Sequence, residues 1–324
     1  MKYNLFRTLV AVFAMAAMIF AVSCDKTADD NGNNGQTTRP DPEPDPEPKP
    51  VPDGALCGIF SVSENTHVYF SKGNLQYTTT GTHAVADGGT APGTWRFATW
   101  QWDTIGAANS NVSSSYTGWI DLFCWGTSGW NSGAVGYQPY FIEGPSSNYY
   151  PGGSYTNDLT GEFANADWGV YNAISNGGNR PGLWRTLSEE EWGYLKDSRN
   201  TASGVRYALA TVCGIHGLIL TPDNWKTETY ALNDVNNYLA EYDANVLTAA
   251  QWGPLELAGC IFLPAAGYRR DTSLYRVGSW GHYWTTTSNT DYFRWSFEFT
   301  SGGVFRIGNY PYIGSSVRLV CSAD

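Results

Sequence analysis

The segment 183–195, Leu-Trp-Arg-Thr-Leu-Ser-Glu-Glu-Glu-Trp-Gly-Tyr-Leu, leaves the chain few structures to choose from. Ser188 with Glu191 three positions later is a capping box, in which the serine hydroxyl accepts from the Glu191 N–H and the glutamate side chain from the Ser188 N–H. Leu187 and Trp192 stand at the staple positions around it. A strand end and a helix start are therefore fused here, and the helix is predicted to begin at Ser188. Glu189, Glu190 and Glu191 fill the first turn, where the helix dipole favours each negative charge by roughly 0.3–1 kcal/mol. That position gives them a stabilising role rather than a catalytic one. The device recurs at Thr248 and Gln251, stapled by Leu247 and Trp252, but Gly253-Pro254 follows and is expected to cut that helix short.

At the N-terminus Lys2 and Arg7 precede an apolar run from Leu9 to Val22, which leads into Ala21-Val22-Ser23-Cys24. A charged start, a short apolar centre and small residues at the cut describe a secretory signal over residues 1–23, too short for a convincing membrane span. The cysteine directly after the small residues resembles a lipobox. On that reading Cys24 becomes the acylated first residue of the mature chain, carrying palmitate-type chains that together anchor it where one would be marginal. An ordinary signal peptide followed by a free cysteine is the alternative.

From Asp25 to Asp53 the composition changes to Asp, Asn, Gly and Thr, then to Pro-Asp-Pro-Glu-Pro-Asp-Pro-Glu-Pro-Lys-Pro at 40–50. Almost nothing here is apolar, so burial cannot offset the ordering entropy, and disorder is expected. Alternating proline and charge favours extended polyproline II at about 3.1 Å per residue, which makes 24–53 a stalk. Asp25, Asp29 and Asp30 resemble the export signal that takes such lipoproteins to the outer face of the outer membrane; a merely solvating acidic run is the alternative.

Residues 54–324 fall within the range of one large β-rich domain. Without Lys2 and Arg7 the chain keeps 17 basic against 30 acidic residues, a formal charge of −13. No basic stripe exists to displace counterions from phosphates, which argues against nucleic acid as a partner, and bulk charge argues against adhesion to anionic polymers.

Period-two alternation predicts strands at His67–Ser71, continuing past a bend at Gly73-Asn74 into Leu75–Tyr77, and at Thr94–Ala98 across the Asp87-Gly88-Gly89 connection. A long segment from Asn109 to Asp158 has little periodicity, so it must be functional or internally packed. Trp119, Trp125 and Trp130 within it are read as packing the loop onto the sheet, with sugar-stacking platforms as the alternative. Ala164–Ile174 reads as one short helix, and Leu209–Leu220, broken by Gly214 and Gly217, as a hairpin or bulged strand. The oxygen-rich run Tyr230–Asn245 could hold Ca²⁺, but its spacing does not match an EF-hand, and a solvated polar loop is preferred. Phe293, Trp295, Phe297 and Phe299 point one way while Tyr292, Arg294, Ser296, Glu298 and Thr300 point the other, which predicts a half-buried strand. Val304–Ile307 returns, and Val317, Leu319 and Cys321 form one face of a closing strand.

Five motifs carry a resemblance: Trp-Arg-Thr-Leu at 184–187 with Glu191-Trp192, Leu-Ile-Leu-Thr-Pro-Asp-Asn-Trp at 218–225, Phe-Leu-Pro-Ala-Ala-Gly-Tyr-Arg at 262–269, Gly-His-Tyr-Trp-Thr-Thr-Thr at 281–287, and Ser-Val-Arg-Leu-Val at 316–320. Together and in this order they resemble the Fibrobacter-type major paralogous domain of Bacteroidetes lipoproteins. That family is similar to C-type lectins and, more distantly, to formylglycine-generating enzymes. The resemblance implies an α+β fold of the C-type-lectin-like kind, with twisted antiparallel sheets, short flanking helices and long loops, in which the last strand pairs with the first. Cys57 and Cys321 would then be close enough for a disulfide, which an exported protein permits; free buried cysteines acting as small hydrophobes are the equal alternative. The Glu-Pro-Asn, Gln-Pro-Asp and Trp-Asn-Asp triplets of calcium-dependent sugar-binding lectins are missing.

In such folds the recognition surface is the loop-rich face beside the final strands, which places Tyr275, Trp280, His282, Tyr283, Asp291, Tyr292, Arg294, Asn309, Tyr310 and Tyr312 as ligand-binding candidates. Their chemistry resembles a paratope, large rigid aromatics with adaptable Ser, Gly and Asn between them. The segment also resembles the region that diversity-generating retroelements vary. Enzyme signatures are missing: the four histidines are scattered, and there is no His-Glu-x-x-His, Cys-x-x-Cys, phosphate-cradling glycine loop or Gly-x-Ser-x-Gly elbow. Cys260 and Cys321 do not match the reactive pair of formylglycine-generating enzymes. The expectation is a surface lipoprotein, membrane-bound through its lipid anchor, that binds an extracellular glycan or protein in an adhesin-like way, with no cofactor and no metal. The alternatives are a structural part of a surface or pilus-like assembly, and a degenerate enzyme of the formylglycine-generating type.

Overall fold

A computed structural model describes residues 50–324. The signal segment, Cys24 and all of the expected stalk before Pro50 lie outside the described residues.

The chain opens with β1 (Ala55–Ser61), β2 (His67–Ser71), β3 (Leu75–Ala84) and β4 (Thr90–Phe97). β3 and β4 form the hairpin expected across the glycine-rich connection, with a bulge between Thr78 and Thr82. The long segment that follows is packed rather than loose. Single bridges tie Ile120 to Tyr77 and Phe123 to Ser315, the buried Asn109 side chain caps the backbone of Asp121 and Leu122, and the fully buried Trp125 donates its ring N–H to the Thr285 carbonyl at 2.8 Å.

Asp167 divides the helix expected over 164–174. Its extended backbone and its side chain, which accepts from the Gly169 N–H, end a 3₁₀ turn and start α1 (Trp168–Tyr171). The other Asp167 oxygen accepts from the Thr186 N–H at 2.7 Å, so one carboxylate joins α1 to the organising segment. There α2 (Glu189–Gly193) begins as predicted, with both halves of the capping box formed, and Arg185 grips Glu191 through two bonds of 2.6 and 2.7 Å. Trp192 enters one apolar cluster, with Phe70, Leu209, Phe297 and Phe299, while Trp184 enters a second, with Trp95, Phe97 and Trp168.

β5 (Tyr207–Val212) and β6 (Ile215–Leu220) join through Cys213-Gly214, both at positive φ, 51° and 81°, as a two-residue mirror-type turn requires. β7 (Val246–Leu247) runs parallel to β5 and leads into α3 (Ala249–Leu257). The Thr248–Gln251 box forms, but the helix is not cut at Gly253-Pro254. Proline removes one intrahelical bond, and Trp252 and Leu255, buried on either side of it, hold the helix to Leu257.

The remaining strands are β8 (Ile261–Pro264), β9 (Tyr268–Arg270), β10 (Ser273–Tyr275), β11 (Trp280–Ser288), β12 (Arg294–Thr300), β13 (Gly303–Asn309), β14 (Ile313–Gly314) and β15 (Val320–Ser322). Strand orders are β1-β2-β15, β3-β4, β7-β5-β6-β8, β10-β9-β14 and β11-β12-β13, giving an α+β fold of small, mostly antiparallel sheets with few short helices.

Two expectations are corrected. The last strand pairs with β2, not with the first: Tyr69 of β2 faces Ile59 of β1 on one side and Cys321 of β15 on the other. Two strand spacings, roughly 9–10 Å, then separate the strands of Cys57 and Cys321, beyond the reach of a disulfide, and all described cysteines are free thiols. β12 is not half-buried either. Phe297 and Phe299 pack toward α2, but Arg294, Ser296 and Glu298 on the opposite face are also buried. Ser296 and Glu298 can occupy a covered face because they bond within it: Ser296 donates to Glu298, and Asn309 donates to both, while among the described residues Arg294 bonds only the Thr290 and Phe293 carbonyls.

Candidate ligand-binding groove

Four connections meet around one groove of about 590 Å³: the Gly144–Tyr150 loop, the Asp271-Thr272 turn between β9 and β10, the β11–β12 turn at Tyr292, and the Tyr310-Pro311-Tyr312 crossing from β13 to β14. The volume is that of a small-ligand site.

Each wall is fixed from below. At Tyr310-Pro311-Tyr312 the Ile313 N–H bonds the Tyr310 carbonyl, Trp125 N–H bonds Pro311 and the Cys124 thiol bonds Tyr312, so the crossing is pinned to the packed loop. The Tyr310 and Tyr312 rings lie nearly parallel, centroids 5.0 Å apart, and Phe293 supports Tyr310 at 4.8 Å. At a second wall the Ser146 hydroxyl donates to the Tyr292 carbonyl at 3.0 Å, joining the Gly144–Tyr150 loop to the β11–β12 turn. Beneath it the Arg294 guanidinium sits between the rings of Trp125 and Tyr150, 4.7 Å from each centroid, and donates to the carbonyls of Thr290 and Phe293. Burial lowers the Arg294 pKa to about 10, which leaves it cationic at neutral pH and attracted to both ring faces.

At the third wall the two-residue turn puts Asp271 at φ 50° and presents Arg270 and Asp271 outward, while buried Arg269 holds the turn by donating to the Asp271 and Leu122 carbonyls. Arg270 stands over Tyr312 at 5.8 Å. The side chains of Arg270 and Asp271 have no hydrogen-bond partner among the described residues. Burial raises the Tyr150 and Tyr312 hydroxyls, so both remain protonated and able to donate. The groove therefore offers aromatic surface, phenol hydroxyls, and one guanidinium and one carboxylate without hydrogen-bond partners among the described residues.

Of the sequence candidates, Tyr292, Tyr310 and Tyr312 line the groove, the first two 59 % and 39 % exposed. Asp291 is exposed beside Tyr292 but outside the lining. Tyr275 and Trp280 lie elsewhere, Tyr275 stacked on Tyr268 and Trp280 under Arg276. Three candidates are corrected: His282, Tyr283 and Arg294 are 3 %, 0 % and 0 % exposed and cannot meet a ligand directly. Tyr283 instead donates its hydroxyl to the Pro264 carbonyl at 2.9 Å. His282 Nε2 lies 3.0 Å from Glu298, and burial drives both toward neutrality, the imidazole down to about 3 and the carboxyl up to about 7. Asn309, half-buried, bonds Ser296 and Glu298.

Arg270, Asp271 and Ser146 were not among the candidates. The available signal was the short Arg-Asp-Thr-Ser run, since Asp tolerates the left-handed conformation a tight turn needs. In the polar run 230–245, Asn233, Asn236 and Asn245 spend their amides on backbone groups, and no cluster of three or more His, Cys, Asp or Glu side chains suited to a metal occurs among the described residues.

Comparison of the chain with known protein families, with characterised proteins and with solved structures finds no match.

Proposed function

We propose that this protein is a lipid-anchored, surface-displayed binding protein of C-type-lectin-like fold, held in the outer membrane through acylated Cys24 and using the tyrosine groove to bind an extracellular ligand. The observation that carries the reading is the convergence of Tyr150, Tyr292, Tyr310 and Tyr312, contributed by three connections, on one groove whose supports are buried and bonded. Rigid amphipathic aromatics on a fixed scaffold give large contact area at little entropic cost, as binding surfaces require. Support for the C-type-lectin-like fold comes from the terminal strands sharing one small sheet and from the long packed loop beside the last strands. Cys260 and Cys321, both buried with thiols raised by burial, are poor nucleophiles, which weighs against formylglycine-type chemistry.

The test is to apply the full chain in detergent to a printed array of glycans and extracellular-matrix proteins, beside a Tyr292→Ala, Tyr310→Ala double variant of unchanged melting temperature. The proposal expects wild-type signals that the variant loses; equal signals from both would remove the groove as the site.

A further inference from the structure

We infer that the ligand of this groove is a neutral pyranose chain, bound without a metal ion. This rests on the groove being the binding site, and adds the ligand's chemical class. Arg270 and Asp271 are adjacent, exposed and free of hydrogen-bond partners among the described residues, so the groove presents a donor fork and an acceptor carboxylate side by side. Vicinal sugar hydroxyls match that pair, since each hydroxyl both accepts and donates: their oxygens take the guanidinium N–H groups and their protons go to the carboxylate. Among the lining residues the one positive charge is offset by the one negative charge, so the exposed rim does not single out a polyanion. A uronate would also meet Asp271 as a like charge.

The remaining surface suits the other side of a pyranose. Tyr310 and Tyr312 stack on each other and Tyr292 and Tyr150 line the same groove, so the ring surface these contacts leave uncovered, above all on the 59 % exposed Tyr292, meets the apolar C–H side of a sugar and the phenol hydroxyls meet its edges. Among the described residues Asp271 is the one acidic residue lining the groove, too few carboxylates to need Ca²⁺. Its volume, about 590 Å³, leaves room for more than one ring.

The experiment is isothermal titration of the full chain in detergent, with EDTA present, using neutral tetrasaccharides of glucose, galactose, mannose, xylose and N-acetylglucosamine, and with tetragalacturonate and a proline decapeptide as contrasting probes. At least one neutral tetrasaccharide should bind in EDTA. Tyr310→Ala and, separately, Asp271→Asn should weaken it roughly tenfold or more. Asn keeps the side-chain shape and tolerates the positive φ at 271, so the second variant retains the turn. Binding of tetragalacturonate or the decapeptide alone, a requirement for added Ca²⁺, or silence from every neutral tetrasaccharide overturns the inference while leaving the groove as a site for another ligand. Neutral sugar binding that both variants leave untouched overturns the groove itself.

Discussion

The Trp192 indole lies flat on the Phe297 ring, centroids 4.4 Å apart and planes 7° from parallel. This contact joins the capped segment of the sequence to the central strand of the sheet that carries the groove's Tyr292 turn, and Phe70 and Tyr283 close around the same indole at 6.0 and 6.5 Å. Replacing Trp192 by alanine should cost roughly 3–5 kcal/mol through lost burial and the cavity left behind. Denaturant unfolding measures this, and a loss under about 1 kcal/mol would mean the stack contributes little.

The buried Glu298 sets a pH dependence. Its folded pKa is raised to about 7 by burial from the 4.5 of a free glutamate, so between those values the native state keeps a proton that the unfolded chain releases. Stability from this group is therefore lost as pH rises from about 4.5 to 7. His282 acts with opposite sign: its folded pKa is lowered to about 3, so stability falls as pH drops below 6.5, where the unfolded imidazole takes a proton. Glu298→Gln cannot ionise and should gain on wild type as pH rises from 5 to 7, by on the order of 2 kcal/mol at pH 7. Chemical melts across that range check it, and parallel profiles for the two proteins would show that the carboxyl is not held neutral.

Arg294 is a support for the groove rather than part of its lining. Arg294→Lys keeps the charge but loses the planar group between Trp125 and Tyr150, with an expected cost of about 1–2 kcal/mol and faster proteolysis within 144–150. Limited proteolysis with mass mapping reads the second effect. Unchanged cleavage of that loop would show that the sandwich does not hold Tyr150.

The local devices were legible because they depend on near neighbours. Both capping boxes, the β3–β4 hairpin and the burial of Trp184, Trp192 and Trp125 follow from spacing and side-chain size, and the hairpin over 209–220 was one of two readings the glycines left open. What spacing could not show was coverage. Arg294, Ser296 and Glu298 alternate as a solvent face would, yet loops from 122–159 and strand β9 cover that region, a fact of tertiary packing with no period in the sequence. The groove was half legible for the same reason. Tyr292, Tyr310 and Tyr312 lie close in the chain, whereas Arg270, Asp271 and Tyr150 join them only through the turn at 271–272 and the packed loop. The Asp167 bond to Thr186 likewise split a helix that local composition read as continuous.

Anchoring is predicted at Cys24, where the apolar run meets small residues. Processing should be blocked by globomycin, and the mature chain should partition into the detergent phase. A Cys24→Ala chain that still partitions with detergent would contradict this.

Binding through the tyrosine groove is the central claim, and one comparison tests it most directly. Wild type and a Tyr292→Ala, Tyr310→Ala, Tyr312→Ala variant of equal melting temperature are titrated with the same neutral tetrasaccharide in EDTA. The groove predicts saturable binding by the wild type and a loss of roughly a hundredfold or more in the variant, about 3 kcal/mol. Equal affinity in the two proteins would contradict it.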